Sequence, residues 1–183
     1  MMVAMELSQI KKNLLEQRAV LAKEFIKDKS IRMMKDIVND KRYQEAKTIY
    51  IYMPSHNEID TEYLMIKALQ DGKKVAAPVV MTSGDMFFEN ISGNPGFHKS
   101  RHDFLQPNID PKLIVDEPGL MIVPLYGCHE KTALSVASRY YGNYLLNRKS
   151  NLYTIGVGYD FQEVDSAFAE DVETIELDEV RVY

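Results

Sequence analysis

In the stretch SHNEIDTE, His56, Glu58 and Asp60 stand close together just after the apolar run TIYIYMP. An ionised Glu58 offers only acceptors, so in a cleft it would take hydrogen bonds from the N–H groups of a polar ligand. The same residues also read as a solvated loop in which Asp60 or Thr61 caps a following helix, and at this level both readings stand. A second stretch, TALSVASRYYGNYL (Thr132 to Leu145), follows the apolar run LMIVP, where an α/β protein that handles phosphate usually places glycines. None precedes Gly142. By its own physics this stretch is a helix start, with Ser135 or Ser138 as N-cap and Tyr140, Tyr141, Tyr144 and Leu145 able to pack inward. Arg139, beside that start, can meet an anion or simply face water. His98 and His102 have a metal-compatible spacing only if helical and lack a third ligand nearby. Cys128 and His129 are adjacent in sequence, an arrangement that rarely sets base against nucleophile. Neither pair is expected to carry chemistry.

These residues need elements to hold them. From Glu6 to Asn39 apolar residues recur at helical spacing with charges between them, and Asp28-Lys29-Ser30 interrupts the pattern. Two helices are expected, with Ser30 as N-cap of the second. Lys11 and Lys12 lie on the first, where solvation is the ordinary fate of a lysine. TIYIYMP (Thr48 to Pro54) reads as a buried strand, EIDTEYLMIKALQDG as a helix stopped by Gly72, KKVAAPVV as a strand, and DMFFENI as another. The proline- and glycine-rich segment from Ser92 to Pro118 is expected to be largely loop. LMIVP (Leu120 to Pro124) is a short apolar run suited to a sheet covered on both faces, with the Thr132 to Leu145 helix after it. LYTIGVGYD (Leu152 to Asp160) is a further strand, and VETIELDEVRVY carries β-type residues around an acidic turn. Alternation of strand and helix predicts a mostly parallel sheet whose ligands collect at the carboxyl ends of its strands.

The chain has 183 residues, 45% of them hydrophobic, and can bury one sizeable core; a single domain over 1–183 is expected. A net charge of −5 disfavours a broad nucleic-acid or anionic-membrane footprint. One cysteine, Cys128, excludes an intrachain disulfide. No apolar run approaches a bilayer span, and MMVAMELSQIKKNLLEQR turns charged too early for a signal-peptide core. The expectation is a cytoplasmic protein, a monomer or weak homodimer, with no nucleic-acid or membrane partner.

Taken in order, YxMPxxxEIDTE (Tyr52 to Glu62), GKKVAAPVV, DMFF, FLQP (Phe104 to Pro107), LMIVP, RYYGNYL (Arg139 to Leu145) and GYDFQ (Gly158 to Gln162) resemble the 5-formyltetrahydrofolate cyclo-ligase family, also called methenyltetrahydrofolate synthetase. The resemblance runs through nearly the whole chain. It implies a three-layer α/β/α fold with a mostly parallel sheet and the N-terminal helices packed against it. It further implies conversion of 5-formyltetrahydrofolate to 5,10-methenyltetrahydrofolate with ATP and Mg²⁺, releasing ADP and phosphate. Such chemistry needs a slot for the reduced folate, a cationic cradle for the γ-phosphate, and Mg²⁺ to offset developing charge.

By the same resemblance Glu58 contacts the pterin, with Met53 and Pro54 on the same wall, Phe104 in a segment that closes over substrate, and Tyr141 and Gln162 on the folate side. Lys11, Lys12, Ser135, Ser138, Arg139 and Tyr140 fall to the nucleotide. Here the chain departs from the family pattern, close to RLGxGxGYYDRxL. It reads ALSVASRYYGNYL: Tyr140 and Tyr141 match, the glycines before them are replaced, Gly142 stands where aspartate is expected, and His129 replaces another aspartate. Side chains in such a turn obstruct the close backbone approach that a phosphate cradle uses. Two functions from different classes therefore follow: an ATP-dependent cyclo-ligase, or a non-catalytic folate-binding or regulatory homologue without ATP chemistry. An enzyme for another anionic substrate on the same sheet is a third.

Overall fold

The computed structural model describes residues 7–93, 95–101, 103–134, 138–169 and 173–183; His102 and Ser135 lie outside them. The chain opens with helix α1 (Leu7–Ala19), then α2 (Lys23–Asn39) and a short α3 (Lys41–Glu45). The break thus falls at Val20 to Ala22 and not at Asp28 to Ser30, and α2 runs unbroken through Ser30. The cause is tertiary: the Asn57 side chain donates to the carbonyls of Arg18 at 3.0 Å and Ala19 at 3.5 Å, satisfying the end of α1. Ser30 is no cap. It is fully buried, donates to Ile26 O at 2.6 Å and accepts from the Asp60 N–H at 2.8 Å.

Strand β1 (Thr48–Tyr50) leads to helix α4 (Glu62–Gln70), β2 (Lys74–Val80) and β3 (Met86–Asn90). Asp60 accepts from the Glu62 N–H at 2.8 Å at the start of α4, while Thr61 turns its hydroxyl to Tyr52 O. Gly72 ends that turn with φ +72°, a conformation that costs glycine little. Between Ser92 and Pro118 lie the small hairpin β4 (Phe97–Lys99) and β5 (Leu105–Pro107), a 3₁₀ turn and β6 (Ile114–Val115). Next come β7 (Gly119–Pro124), β8 (Gly127–His129), β9 (Thr132–Leu134) and helix α5 (Ser138–Asn147). The stretch from Thr132 is therefore half strand: β9 pairs antiparallel with β8, and α5 begins only at Ser138. β10 (Leu152–Gly158), β11 (Ile175–Glu176) and β12 (Glu179–Val182) close the chain.

Seven strands form one sheet in the order β12-β10-β7-β1-β2-β3-β6. From β12 to β2 every pairing is parallel; β3 is antiparallel to β2. Alternation along the strands covers both faces. Ile49, Ile51, Leu120 and Ile122 pack with Met33 and Ile37 of α2 and Leu64 and Ala68 of α4. Tyr50, Met121 and Val123 pack on the other face with Phe88 and Tyr141 of α5. The result is the three-layer α/β/α arrangement. Among the described residues, no helix is long and apolar enough to cross a membrane.

Candidate functional site

β1 sits at the point where the chain order reverses, with β2 on one side and β7 on the other. Crevices at such switch points, at the carboxyl ends of the strands, are where open α/β sheets bind ligands. After β1 the backbone turns tightly through Ser55 to Glu58, closed by the Glu58 N–H on Ser55 O at 3.0 Å. His56 and Asn57 both take left-handed backbone, φ 48° and 58°, which Asn and His accept more readily than most side chains. The turn brings the Glu58 carboxylate back over itself, where Oε2 accepts from the Ser55 N–H at 2.9 Å.

Glu58 is 9% exposed. Its partner is Arg18, 1% exposed, whose Nη1 stands 3.8 Å from Glu58 Oε1. Arg18 also donates from Nε to His56 O at 3.0 Å and from Nη1 to Leu125 O at 3.4 Å, and lies over the Tyr126 ring at 5.3 Å. One cation thus ties α1 to the loops after β1 and β7. Burial pushes the Glu58 carboxyl above the ordinary carboxylate range, while the Arg18 charge and the Ser55 N–H pull it partly back. Tyr52, Tyr126, Tyr141 and Tyr159 surround the pair, each phenol raised by burial and by the Glu58 charge, so all four stay protonated near neutrality. Tyr52 donates to Ile59 O at 2.6 Å and Tyr159 to Asn57 O at 2.9 Å, holding the turn from beneath. The site can bind and orient a ligand rich in N–H groups through one buried carboxylate.

Of the other residues that the resemblance assigns to the folate, Gln162 shares Leu125 O with Arg18 and Tyr141 feels the Glu58 charge. Met53 is half-buried against the core beside β1. Tyr141 is buried in α5 with its ring 6.4 Å from that of Phe88. Gln162 is buried, and both amide N–H groups are committed to backbone, to Leu125 O at 2.7 Å and Tyr126 O at 2.9 Å, while Oε1 accepts from the Tyr159 N–H. It braces the loop that Arg18 also grips. Phe104 is half-buried just before β5.

Of the residues expected to meet a nucleotide, Arg139 is exposed and Tyr140 half-buried in the N-terminal turn of α5, whose first residue is Ser138. Lys11 is half-buried on α1, and Lys12 is exposed, 4.0 Å from Glu16. At Gly142 an added Cβ would lie 3.4 Å from Ile175 Cγ2, a van der Waals contact with β11. The remaining polar residues have structural partners. Cys128 is buried with its thiol pushed up to about 12, and His129 contacts Val164 O through Nδ1 at 2.9 Å. His98 contacts Asn108 and Gln106. A broad groove at the opposite, amino ends of the strands is lined by Arg42, Lys73, Lys74, Glu117 and Tyr153. Its charges are engaged, Lys74 with Glu117 at 2.8 Å and Lys73 with Ala46 O at 2.6 Å.

The model of the 5-formyltetrahydrofolate cyclo-ligase family matches residues 4–181. The chain belongs to the 5-formyltetrahydrofolate cyclo-ligase family. Two solved members show the same fold. A 5,10-methenyltetrahydrofolate synthetase from Mycoplasma pneumoniae superposes with a TM-score of 0.70 at 19% identity, covering 96% of this chain and 98% of that one. The 5,10-methenyltetrahydrofolate synthetase of Aquifex aeolicus gives 0.75 at 18% identity, over 94% of this chain and 87% of that one. No curated protein matches the chain significantly.

Sequence reasoning missed Arg18 in this cyclo-ligase fold. The signal was present: Leu14 and Arg18 are the buried residues of α1, one helical step of four apart, so a cation occupies the apolar stripe. A charge on that stripe requires a buried partner.

Proposed function

We propose that this protein is an ATP-dependent 5-formyltetrahydrofolate cyclo-ligase that forms 5,10-methenyltetrahydrofolate with release of ADP and phosphate. The observation that carries the proposal is the buried Glu58–Arg18 pair at the β1/β7 switch point of a chain in this family. The names of the two solved relatives support it. Glu58 accepts hydrogen bonds from the N–H edge of the pterin, and Met53 and Tyr141 line the slot around it. Phe104 belongs to the segment that covers the substrate. Gln162 acts on the slot by bracing residues 125 and 126.

ATP with its Mg²⁺ supplies the phosphoryl group that activates the formyl oxygen. The residues fit a phosphate chain: a ten-residue helix presents its N-terminus with Arg139 exposed in the first turn, and Lys11 and Lys12 lie on α1. They fit a protein-held metal less well. Among the described residues no group of three or more His, Cys, Asp or Glu gathers as a metal site would need. Mg²⁺ would enter with the nucleotide as its counter-ion and offset the charge on its phosphates. Arg139, with Ser138 and Ser135, takes over from the glycine backbone that the family pattern uses, with Tyr140 next in the same helical turn.

The test is turnover. Purified protein with 5-formyltetrahydrofolate and Mg-ATP should form methenyltetrahydrofolate, followed by its absorbance. Glu58→Ala should lower kcat/KM by about 10- to 100-fold, the worth of a hydrogen bond to a charged group. Folate binding without ATP binding or turnover would instead make the chain a non-catalytic folate-binding member of the family.

A further inference from the structure

We propose that Arg18 is a positioning residue for Glu58: it orients the carboxylate and supplies the counter-charge that keeps it a hydrogen-bond acceptor. The inference rests on the reading that Glu58 binds the reduced folate. Its grounds are geometric. Arg18 reaches the turn that carries Glu58 twice, through Nε to His56 O and through its own carbonyl, which accepts from Asn57 Nδ2. It reaches the loop after β7 through Leu125 O and the Tyr126 ring. Its Nη2 is buried and has no hydrogen-bond partner among the described residues. A neutral side chain of similar length could serve the two carbonyls without stranding an N–H donor. What only the guanidinium adds is a positive charge beside a carboxylate that is itself 9% exposed.

Among the described residues, Arg18 is the one cation that acts on Glu58. The other titratable groups that feel the Glu58 charge are Tyr52 on the β1 side, Tyr126 after β7, Tyr141 on α5 and Tyr159 after β10, all phenols. Asp60, on the same segment, adds negative charge that Tyr52 and Tyr159 register. His56 is exposed and turns its ring nitrogen to Ser55 Oγ. Burial already favours the protonated acid at Glu58, and Arg18 is the largest influence opposing it. Without Arg18 the carboxyl would hold its proton to higher pH, and a protonated Glu58 loses acceptor capacity toward ligand N–H groups.

The experiment follows the Glu58 carboxyl carbon by ¹³C NMR across pH in the ligand-free protein, assigned by its loss in Glu58→Gln, for wild type, Arg18→Gln and Arg18→Lys. Binding of 5-formyltetrahydrofolate is measured calorimetrically on the same proteins. In Arg18→Gln the Glu58 titration should move to higher pH, and in Arg18→Lys it should stay near wild type. Folate affinity in Arg18→Gln should fall about 10-fold near neutrality and recover as pH rises. An unmoved titration, or an affinity loss of equal size at every pH, would overturn the proposal and leave Arg18 a purely structural residue. Should Arg18→Gln not fold, Arg18→Lys decides: a titration displaced well above wild type would show that charge at this position is not what Glu58 requires. Failure of the wild type to bind folate at any pH sinks the cyclo-ligase reading, while the carboxyl titration still judges Arg18.

Discussion

Glu89 lies fully inside the fold, with Oε1 accepting from the Asp110 N–H at 2.8 Å and Oε2 without a hydrogen-bond partner among the described residues. Unlike Glu58 it has no cation in hydrogen-bond or ion-pair contact among the described residues. Burial raises its carboxyl above the ordinary range, and the Asp110 charge adds to this against the Asp110 N–H. A group whose folded pKa is raised binds its proton more tightly in the native state. Its cost is therefore absent below the ordinary carboxylate pKa and grows as pH rises through the raised value. Glu89→Gln keeps the acceptor and removes the charge, so it should melt higher than wild type at neutral pH and converge with it below about pH 4. Parallel thermal melts across that range decide the point. Of the two buried carboxyls, only Glu58 was marked in the sequence, because it follows an apolar strand. Glu89 reads as one polar residue in a strand, and nothing local shows which face it occupies.

The elements hold the site through a few contacts that cross long stretches of chain. Ser30 on α2 accepts the Asp60 N–H and so pins the segment that leads from Glu58 into α4. Ser30→Ala leaves that part-buried N–H unpaired and should cost about 1 kcal/mol, read as a lower denaturant midpoint with unchanged m-value. Gly119 sets the approach of β7 to β1. A Cβ there would overlap Thr48 O and stand 3.1 Å from Tyr50 Cε2, and backbone in a central strand cannot yield. Gly119→Ala should destabilise by about 3 kcal/mol or more, seen as a lowered Tm or loss of soluble protein. The break between α1 and α2 belongs to the same class: Asn57 ends α1 from 39 residues away, and local propensity could not reveal it.

At the scale of the molecule, the edge strand β12 is anchored by Arg181, which bonds Asp36 and Asp40 of the α2 and α3 region and Glu179 of its own strand. Tyr183 adds a hydrogen bond to Asp36 at 2.8 Å. Arg181 and the other charges of the network hold Glu179 below the ordinary carboxylate value against its burial. At Asp40 burial opposes, but Arg181 and Arg42 together keep it low as well. Groups with depressed folded pKa contribute stability that is present above the ordinary value and lost as pH falls through the depressed one. Arg181→Met should therefore cost about 2 kcal/mol at neutral pH, and its deficit should shrink as pH falls below about 4. Chemical denaturation at both pH values checks the sign, which is opposite to that of Glu89→Gln.

The sequence by itself determined the class of fold and the order of its main strands and helices. Those follow from hydrophobic period, β-branched runs and punctuation by Gly72 and the prolines, all of which act over a few residues. Tertiary structure decided the rest. It placed β9 where the start of a helix was expected, because Thr132 to Leu134 finds strand partners in residues 127–129 and, through Ala133, in Ile175. It moved the helix break to Val20, and it brought Arg18 within 3.8 Å of Glu58. Each of these depends on hydrogen bonds or charges between residues far apart in sequence. Such energies exist only once the chain has closed, so no local pattern carries them.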